Sequence, residues 1–185
     1  AHVYSDASIR RCVKLGVKSL EHCNLIGAET AAMAAEAGCI AIPTLAAYEG
    51  LKLEGAQLGL GEAEQLKLDV VRDGGRNSLG IMREAGLPMA FGTDLLGQLR
   101  KYGGLEFALL AEVLTPKEIL GGMWEAGARL CRMEGEIGTM AAGARANLVA
   151  FDVDPFADIA ALGRPAEHLK LVVKDGVVAN DRRRA

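Results

Sequence analysis

The sequence is poor in aromatic residues and contains no long apolar run. Aromatic side chains make up 4% of its 185 residues, and 21 basic side chains are outnumbered by 24 acidic ones. Because nucleic-acid-binding surfaces combine a basic face with stacking rings, we expect no nucleic-acid partner. No stretch of about 18 uncharged apolar residues is present, so we expect no membrane-spanning helix. The hydrophobic content of 50% excludes general disorder.

The four cysteines include no CxxC pair, and their spacing is typical of neither a zinc knuckle nor a dense disulfide framework. We therefore expect free thiols in a reducing cytoplasm. Residues 1–5 have neither the basic start nor the apolar segment of a signal peptide. They already resemble the end of a β-strand, which leads us to expect the downstream part of a longer polypeptide.

Short apolar runs alternate with helical patterns over the first two-thirds of the chain. The runs end at Val3 and span residues 17–20, 39–42 and 88–91. This alternation predicts βαβ units around a parallel sheet, in which ligands bind at the carboxyl ends of the strands. Residues 45–60, which hold several glycines, are expected to form an irregular loop, and a polar helix is expected at about 62–85.

The composition of the sequence changes near residue 134. Before this point, Thr115, Pro116 and Glu118 have the pattern of a helix capping box. Beyond it, short β-like runs flank Asp175-Gly176, which is a hairpin signal. We therefore predict two domains, an α/β part at 1–134 and a small β part at 135–185.

Three side chains with metal-ligating chemistry stand at equivalent places in this pattern. His2 and His22 end the first and second apolar runs, and Asp94 follows the fourth. If these runs are parallel strands of one sheet, the two imidazoles and the carboxylate meet at one edge and could bind a divalent metal ion. Tyr4 shares a strand face with His2 and could point toward a substrate carbonyl.

Structural alternatives stay open for these residues. A histidine at a strand end is commonly a hydrogen-bonded core or surface residue, and Tyr4 could simply pack there. His168, in the small β part, is expected to be structural, and Glu21 is expected to face away from the metal. Arg100 or Lys101 could pair with a substrate carboxylate, although a solvated surface pair is favoured.

In this order, the residues resemble the amidohydrolase superfamily, in particular its prolidase-like and imidazolonepropionase-like branch. The stretch AHVYSDASIRRCVKLGVKSLEH is similar to the fifth and sixth barrel strands of that branch with the helix between them. PTLAAYEGL resembles the seventh-strand segment, and AGLPMAFGTD resembles the eighth strand. IGTMAAGARANLVAFDVDP, with LKLVVKDGVV, is similar to the return into a small β-sandwich, so the resemblance covers essentially the whole chain.

The resemblance implies an α/β fold, the second half of a (β/α)₈ TIM-type barrel (strands five to eight) with part of a small β-sandwich at the C-terminus. It implies that His2, His22 and Asp94 are metal ligands in a metal-dependent hydrolase, with Asp94 also the general base. Tyr4 would orient the scissile carbonyl. Tyr48, which lies in the candidate specificity loop at 45–60, is a further candidate for substrate binding. One or two divalent ions, zinc above all, and a small amide or dipeptide substrate are expected.

The first-strand HxH pair and the fourth-strand lysine of the family have no counterpart in this sequence. We therefore expect the N-terminal half of the barrel as a partner, association between copies through an open sheet edge, and little activity in isolation. Two other functions stay open. One is a deaminase or cyclic-amide hydrolase of the same superfamily, and the other is a non-catalytic structural half.

Overall fold

A three-stranded parallel sheet forms the centre of the protein, and the computed structural model describes residues 1–183 of the chain. Met89 adds one parallel bridge to Ala41, so residues 88–91 continue the sheet beyond its third strand. The predicted alternation of strands and helices around a parallel sheet is confirmed. The strands, in sheet order, are β1 (His2–Ser5), β2 (Ser19–Leu25) and β3 (Ile40–Ile42).

Helices connect these strands and lead onward from the sheet. α1 and α2 join successive strands, and α3 and α4 lie between β3 and residues 88–91. Their bounds are α1 (Asp6–Lys14), α2 (Ala28–Glu36), α3 (Leu45–Glu54) and α4 (Glu62–Glu84). After residue 91 come a 3₁₀ helix (Gly97–Tyr102), α5 (Leu105–Ala111), α6 (Pro116–Gly121), a π-helical turn (Gly122–Ala126) and α7 (Gly127–Cys131).

One continuous hydrophobic core lies between the sheet and these helices. Ile9 of α1, Leu20 of β2 and Leu79 of α4 are completely buried in it. Burial of apolar surface from each successive unit is what holds the helices against the strands. Within the part of the chain that the structure describes, no helix is long and apolar enough to cross a membrane.

The expectation of an irregular loop at 45–60 is wrong for its first part, which forms α3. Glycine disfavours helix interiors, and Gly50 therefore hid this helix in the sequence. The glycine has a packing role, because a Cβ at Gly50 would come within 3.1 Å of the Tyr102 ring. Tertiary contacts, rather than local propensity, thus decide the structure of this segment.

The capping box predicted before α6 is confirmed. The hydroxyl of Thr115 accepts a hydrogen bond from the backbone N–H of Glu118, at 3.3 Å. The Glu118 carboxylate in return accepts from the backbone N–H of Thr115, at 2.7 Å. These bonds satisfy amides that have no partner within the first turn of a helix.

The C-terminal part contains a three-stranded antiparallel sheet of β4 (Leu148–Phe151), β5 (Leu169–Lys174) and β6 (Val177–Asp181). The hairpin predicted at Asp175-Gly176 is confirmed, because β5 and β6 pair across these two residues. Both residues have positive φ, 49° and 79°, as a two-residue type I′ hairpin turn requires.

The connection between β4 and β5 packs back against the part of the chain that precedes residue 134. It consists of a 3₁₀ helix (Ile159–Gly163) and the short α8 (Pro165–His168). Ile159 is buried in the same hydrophobic core as the parallel sheet. The segment therefore packs against the first part of the chain. Residues 184 and 185 of the predicted second domain lie outside the described residues.

Candidate active site at the ends of the parallel strands

His22 lies at a β-bulge in β2. Val3 of β1 pairs with His22, whereas Ser5 pairs with Leu25, so β2 carries one extra residue at this point. His22 and Cys23 adopt positive φ angles of 75° and 55°. Bulges of this kind re-aim side chains and are common beside active sites. β2 continues beyond His22, although the sequence suggested that the strand ends there.

Asp94 is brought to the end of the sheet by a tight turn. Gly92 is required in this turn, because a Cβ there would lie 2.6 Å from Cγ2 of Ile42 in β3. Asp94 itself has a φ of 49°, and its side chain is about half exposed. The turn directs the carboxylate toward His22.

The structure brings His2, His22 and Asp94 together in one cleft. Nε2 of His22 lies 2.7 Å from Nδ1 of His2 and 3.9 Å from Oδ2 of Asp94. The cleft has a volume of about 350 Å³, and Glu21 and Thr44 also line it. The Glu21 carboxylate accepts a hydrogen bond from the Ser19 hydroxyl, two residues away on β2.

The second ring nitrogen of His22 is held by Thr44. Nδ1 of His22 lies 2.7 Å from Oγ1 of Thr44. When Nδ1–H donates to this hydroxyl, the lone pair of Nε2 is directed at the cleft, which is the arrangement of metal-ligating histidines in proteins. Two imidazole nitrogens and a carboxylate oxygen are also donors that suit zinc.

These residues fit part of a metal site rather than a whole one. Among residues 1–183, no group of three or more His, Cys, Asp and Glu side chains has the spacing to hold an ion. Nitrogens bound to one tetrahedral zinc ion at about 2.0 Å are roughly 3.3 Å apart, whereas those of His2 and His22 are 2.7 Å apart. Metal binding therefore requires the two rings to separate slightly and further ligands to join them.

Tyr4 and Tyr48 complete an aromatic group around His22. The Tyr4 ring stacks on the His22 ring with centroids 5.2 Å apart. Tyr48 meets Tyr4 and His22 edge-on at 6.2 and 5.9 Å. Because Tyr48 is only 6% exposed, it has little free surface and packs behind Tyr4.

Burial shifts the pKa values of two residues in this aromatic group, His22 and Tyr48. Burial lowers the pKa of His22, and the neighbouring His2 lowers it further, while Asp94 opposes the change. The neutral imidazole, which can bind a metal ion, is therefore favoured near neutral pH. Burial also raises the pKa of Tyr48 above its usual range, so the phenol stays protonated.

The candidate residues outside this cleft include Lys101 and His168, and both contact acidic side chains. Lys101 forms an ion pair with Glu54, and the Tyr102 hydroxyl donates to the same carboxylate at 2.7 Å. Lys101 is thus already paired, while Arg100 is exposed. In the small β part, His168 lies 3.0 Å from Asp152, and this contact fits a structural role.

Thr44 is a site residue that the sequence reasoning missed. The signal was available, because Thr44 is the first polar residue after the third apolar run, just as Asp94 follows the fourth. In a parallel sheet both positions lie at the same edge.

The family model of the amidohydrolases matches residues 1–178. The chain belongs to the amidohydrolase family. Among curated proteins, no sequence matches it significantly.

Solved structures similar to this amidohydrolase include an amidohydrolase with 39% identity and a TM-score of 0.93, matched over 98% of this chain and 44% of that one. A prolidase complexed with N-methylphosphonate-L-proline has 35% identity and a TM-score of 0.93, over 98% of this chain and 44% of that one. A Xaa-Pro dipeptidase with methionine bound in its active site has 27% identity and a TM-score of 0.84, over 97% of this chain and 44% of that one. The chain thus spans less than half the length of each of these proteins.

The comparisons also identify which part of the fold is present. The predicted fold class is confirmed, as the amidohydrolase chain corresponds to the C-terminal half of a TIM-type barrel domain. Its parallel sheet, within the described residues, is accordingly partial and does not close.

Proposed function

We propose that this chain is the C-terminal half of a prolidase-like, metal-dependent hydrolase that cleaves the C–N bond of a dipeptide or a similar small amide. The observation that carries the proposal is the convergence of His2, His22 and Asp94 in one cleft. Similarity to a prolidase bound to a proline phosphonate and to a Xaa-Pro dipeptidase supports a dipeptide substrate.

In this proposal His2, His22 and Asp94 hold one or two divalent ions, zinc above all, together with ligands from the other half of the barrel. A bound divalent ion lowers the pKa of water and polarises a carbonyl. The bond between Thr44 and Nδ1 of His22 supports the ligand role, because it fixes the ring with Nε2 toward the cleft.

Asp94 acts as the general base and then as the general acid. It takes a proton from the attacking water and delivers it to the leaving nitrogen. Its half-exposed carboxylate, 3.9 Å from His22, is open to both water and substrate. Tyr4 orients the scissile carbonyl through its hydroxyl. Tyr48 contributes to substrate binding by packing edge-on against the Tyr4 ring, which it holds in place.

The remaining ligands come from a partner, the N-terminal half of the barrel. This part of the proposal is supported by the 44% of the prolidase chain that the match covers and by the open sheet. We also propose that residues 135–185 form part of a small β-sandwich, that copies of the protein associate, and that it is located in the cytoplasm. The solution mass of the complete protein tests the association.

The substitution Asp94→Asn in the complete protein, with the N-terminal half present, tests the proposed function. Loss of the general base is expected to lower kcat for Xaa-Pro dipeptide hydrolysis by about 10²- to 10⁴-fold. The matched control is Asp73→Asn, which changes an exposed carboxylate on α4 that pairs with Arg72. The chain without its N-terminal half is expected to hydrolyse nothing. An unchanged kcat in Asp94→Asn would remove Asp94 from the mechanism.

A further inference from the structure

Thr44 occupies the N-cap position of α3 but does not cap the helix. An N-cap threonine normally has an extended backbone, and its hydroxyl accepts a hydrogen bond from an amide of the first turn. Thr44 instead has a φ of 53°, and its hydroxyl makes no bond to the helix. Its Oγ1 lies 2.7 Å from Nδ1 of His22. The hydroxyl that should stabilise α3 is thus used to hold a ring of the candidate active site.

A carboxylate from a distant part of the chain takes over the capping role. Glu106 on α5 is completely buried. Its Oε1 accepts a hydrogen bond from the backbone N–H of Leu45 at 3.1 Å, and its Oε2 accepts from the N–H of Ala46 at 2.6 Å. These are the first two residues of α3, which directly follow Thr44. Both oxygens of Glu106 are therefore committed to the turn that carries the Thr44 hydroxyl.

We propose that Glu106 is a positioning residue for the active site: by capping α3 in place of Thr44, it holds the left-handed Thr44 turn that fixes the His22 ring. The proposal rests on the proposed function in that it takes His22 as a ligand. Glu106 acts through Thr44 and touches neither the cleft nor the proposed ligands, since its hydrogen bonds end at Leu45 and Ala46.

The environment of Glu106 fits this role. A carboxylate buried without a cationic partner is costly, and its two amide bonds are what stabilise the charge. Burial raises the pKa of Glu106 to about 7, and the two backbone amides oppose that rise. Without the carboxylate, the amides of Leu45 and Ala46 lack an acceptor. The Thr44 hydroxyl is the usual acceptor for a helix at the N-cap position, and capping α3 in this way would require it to leave His22.

The experiment reads the ring nitrogens of His22 directly, by ¹⁵N NMR of the chain at a fixed pH near 8, with no metal or substrate. In the wild-type chain, Nδ1 and Nε2 are expected to have well-separated shifts, as in a single tautomer with the proton on Nδ1. Glu106→Gln keeps the shape of the side chain but places its amide NH₂, which is a donor, against a backbone N–H that needs an acceptor. In this variant the separation of the two nitrogen shifts is expected to shrink. If the Gln variant fails to fold, Glu106→Asp replaces it in the experiment. The aspartate is too short to reach both amides, so it is expected to change the His22 shifts in the same direction.

Two controls separate positioning from general destabilisation. Met82→Ala opens a cavity in the buried core at the C-terminal end of α4 and is expected to leave the His22 shifts unchanged. Thr44→Val removes the hydroxyl while keeping Glu106, and it is expected to reproduce the His22 change. Adding Glu106→Gln to Thr44→Val should then change the His22 shifts no further.

Unchanged His22 shifts in the folded Glu106 variants would contradict the proposal. So would an equal change in Met82→Ala, or full additivity with Thr44→Val, because each shows that Glu106 does not act through Thr44. The failure of the proposed function would look different: the His22 shifts would behave as expected while Asp94→Asn kept full activity in the complete protein.

Discussion

Several residues around the cleft adopt backbone conformations that are unfavourable for side chains other than glycine. Positive φ angles from 49° to 75° occur at His22, Cys23, Thr44 and Asp94. Each such residue costs of order 1–3 kcal/mol, and a β-branched threonine is an especially rare case. Three of these turns direct polar side chains into the same cleft. The strain is thus located where the site is built.

Glu106 should make the stability of the chain depend on pH. Its carboxyl has a pKa of about 7 in the folded protein, because of burial, and about 4.5 when unfolded. The folded state therefore binds this proton more tightly, so the stabilisation present below about pH 4.5 is lost as the pH rises to about 7. Urea unfolding at a series of pH values across this range is expected to show that the free energy of unfolding decreases by about 3 kcal/mol because of this group.

The Glu106→Gln variant supplies the comparison for this prediction. It has no titrating group at this position, so the decrease should be missing from its stability curve. If the variant and the wild-type chain lose stability in parallel over the range, Glu106 is not the source of the pH dependence.

Sequence reasoning at the residue scale could predict the approach of His2, His22 and Asp94. Each stands at or after an apolar run, and parallel strands bring such positions to one edge. It could not predict the role of Glu106, whose bond to the Leu45 amide joins residues 61 positions apart. That contact depends on how α5 packs against α3, and no local pattern in the sequence records it.

At the scale of elements, α3 and the bulge in β2 differ most from expectation. The start of α3 has no side-chain cap from its own sequence, and Gly50 weakens its propensity, so the local pattern favours a loop. The bulge at His22 arises from the pairing of β2 with β1, which is not a property of either strand alone. The capping box of α6 and the β5–β6 hairpin were predictable because their signals are local.

The contact between Gly104 and Gly163 ties the C-terminal part to the core. A Cβ at Gly104 would lie 2.0 Å from the carbonyl oxygen of Gly163, so two backbones touch here. Gly104→Ala is expected to lower the free energy of unfolding by about 1–3 kcal/mol, because the backbone must move. Urea unfolding measures the loss.

The same substitution at Gly80 is the matched control for this contact. Gly80 lies within α4, and a Cβ there would meet nothing within 4 Å. Gly80→Ala should therefore stabilise the chain by about 0.5–1 kcal/mol, since alanine is the better helix former. A Gly104→Ala variant that matches Gly80→Ala in stability would show that the backbone contact is unimportant.

At the scale of the whole molecule, the chain is an amidohydrolase half with an open sheet. It covers 44% of the prolidase structure that it matches, and no group of three or more His, Cys, Asp and Glu side chains among its described residues could hold a metal ion. Large apolar side chains are exposed at Leu15, Leu96 and Met140. The sequence could predict this partial coverage, because the pieces of the family pattern that it carries all resemble the later strands.

Anomalous X-ray diffraction from the complete protein, crystallised with zinc, tests the central claim most directly. The account predicts a zinc peak at about 2.0–2.1 Å from a ring nitrogen of His2 and of His22, with the two rings moved apart to admit it. Zinc bound only elsewhere, with His22 still hydrogen-bonded to His2 as it is here, would contradict the account.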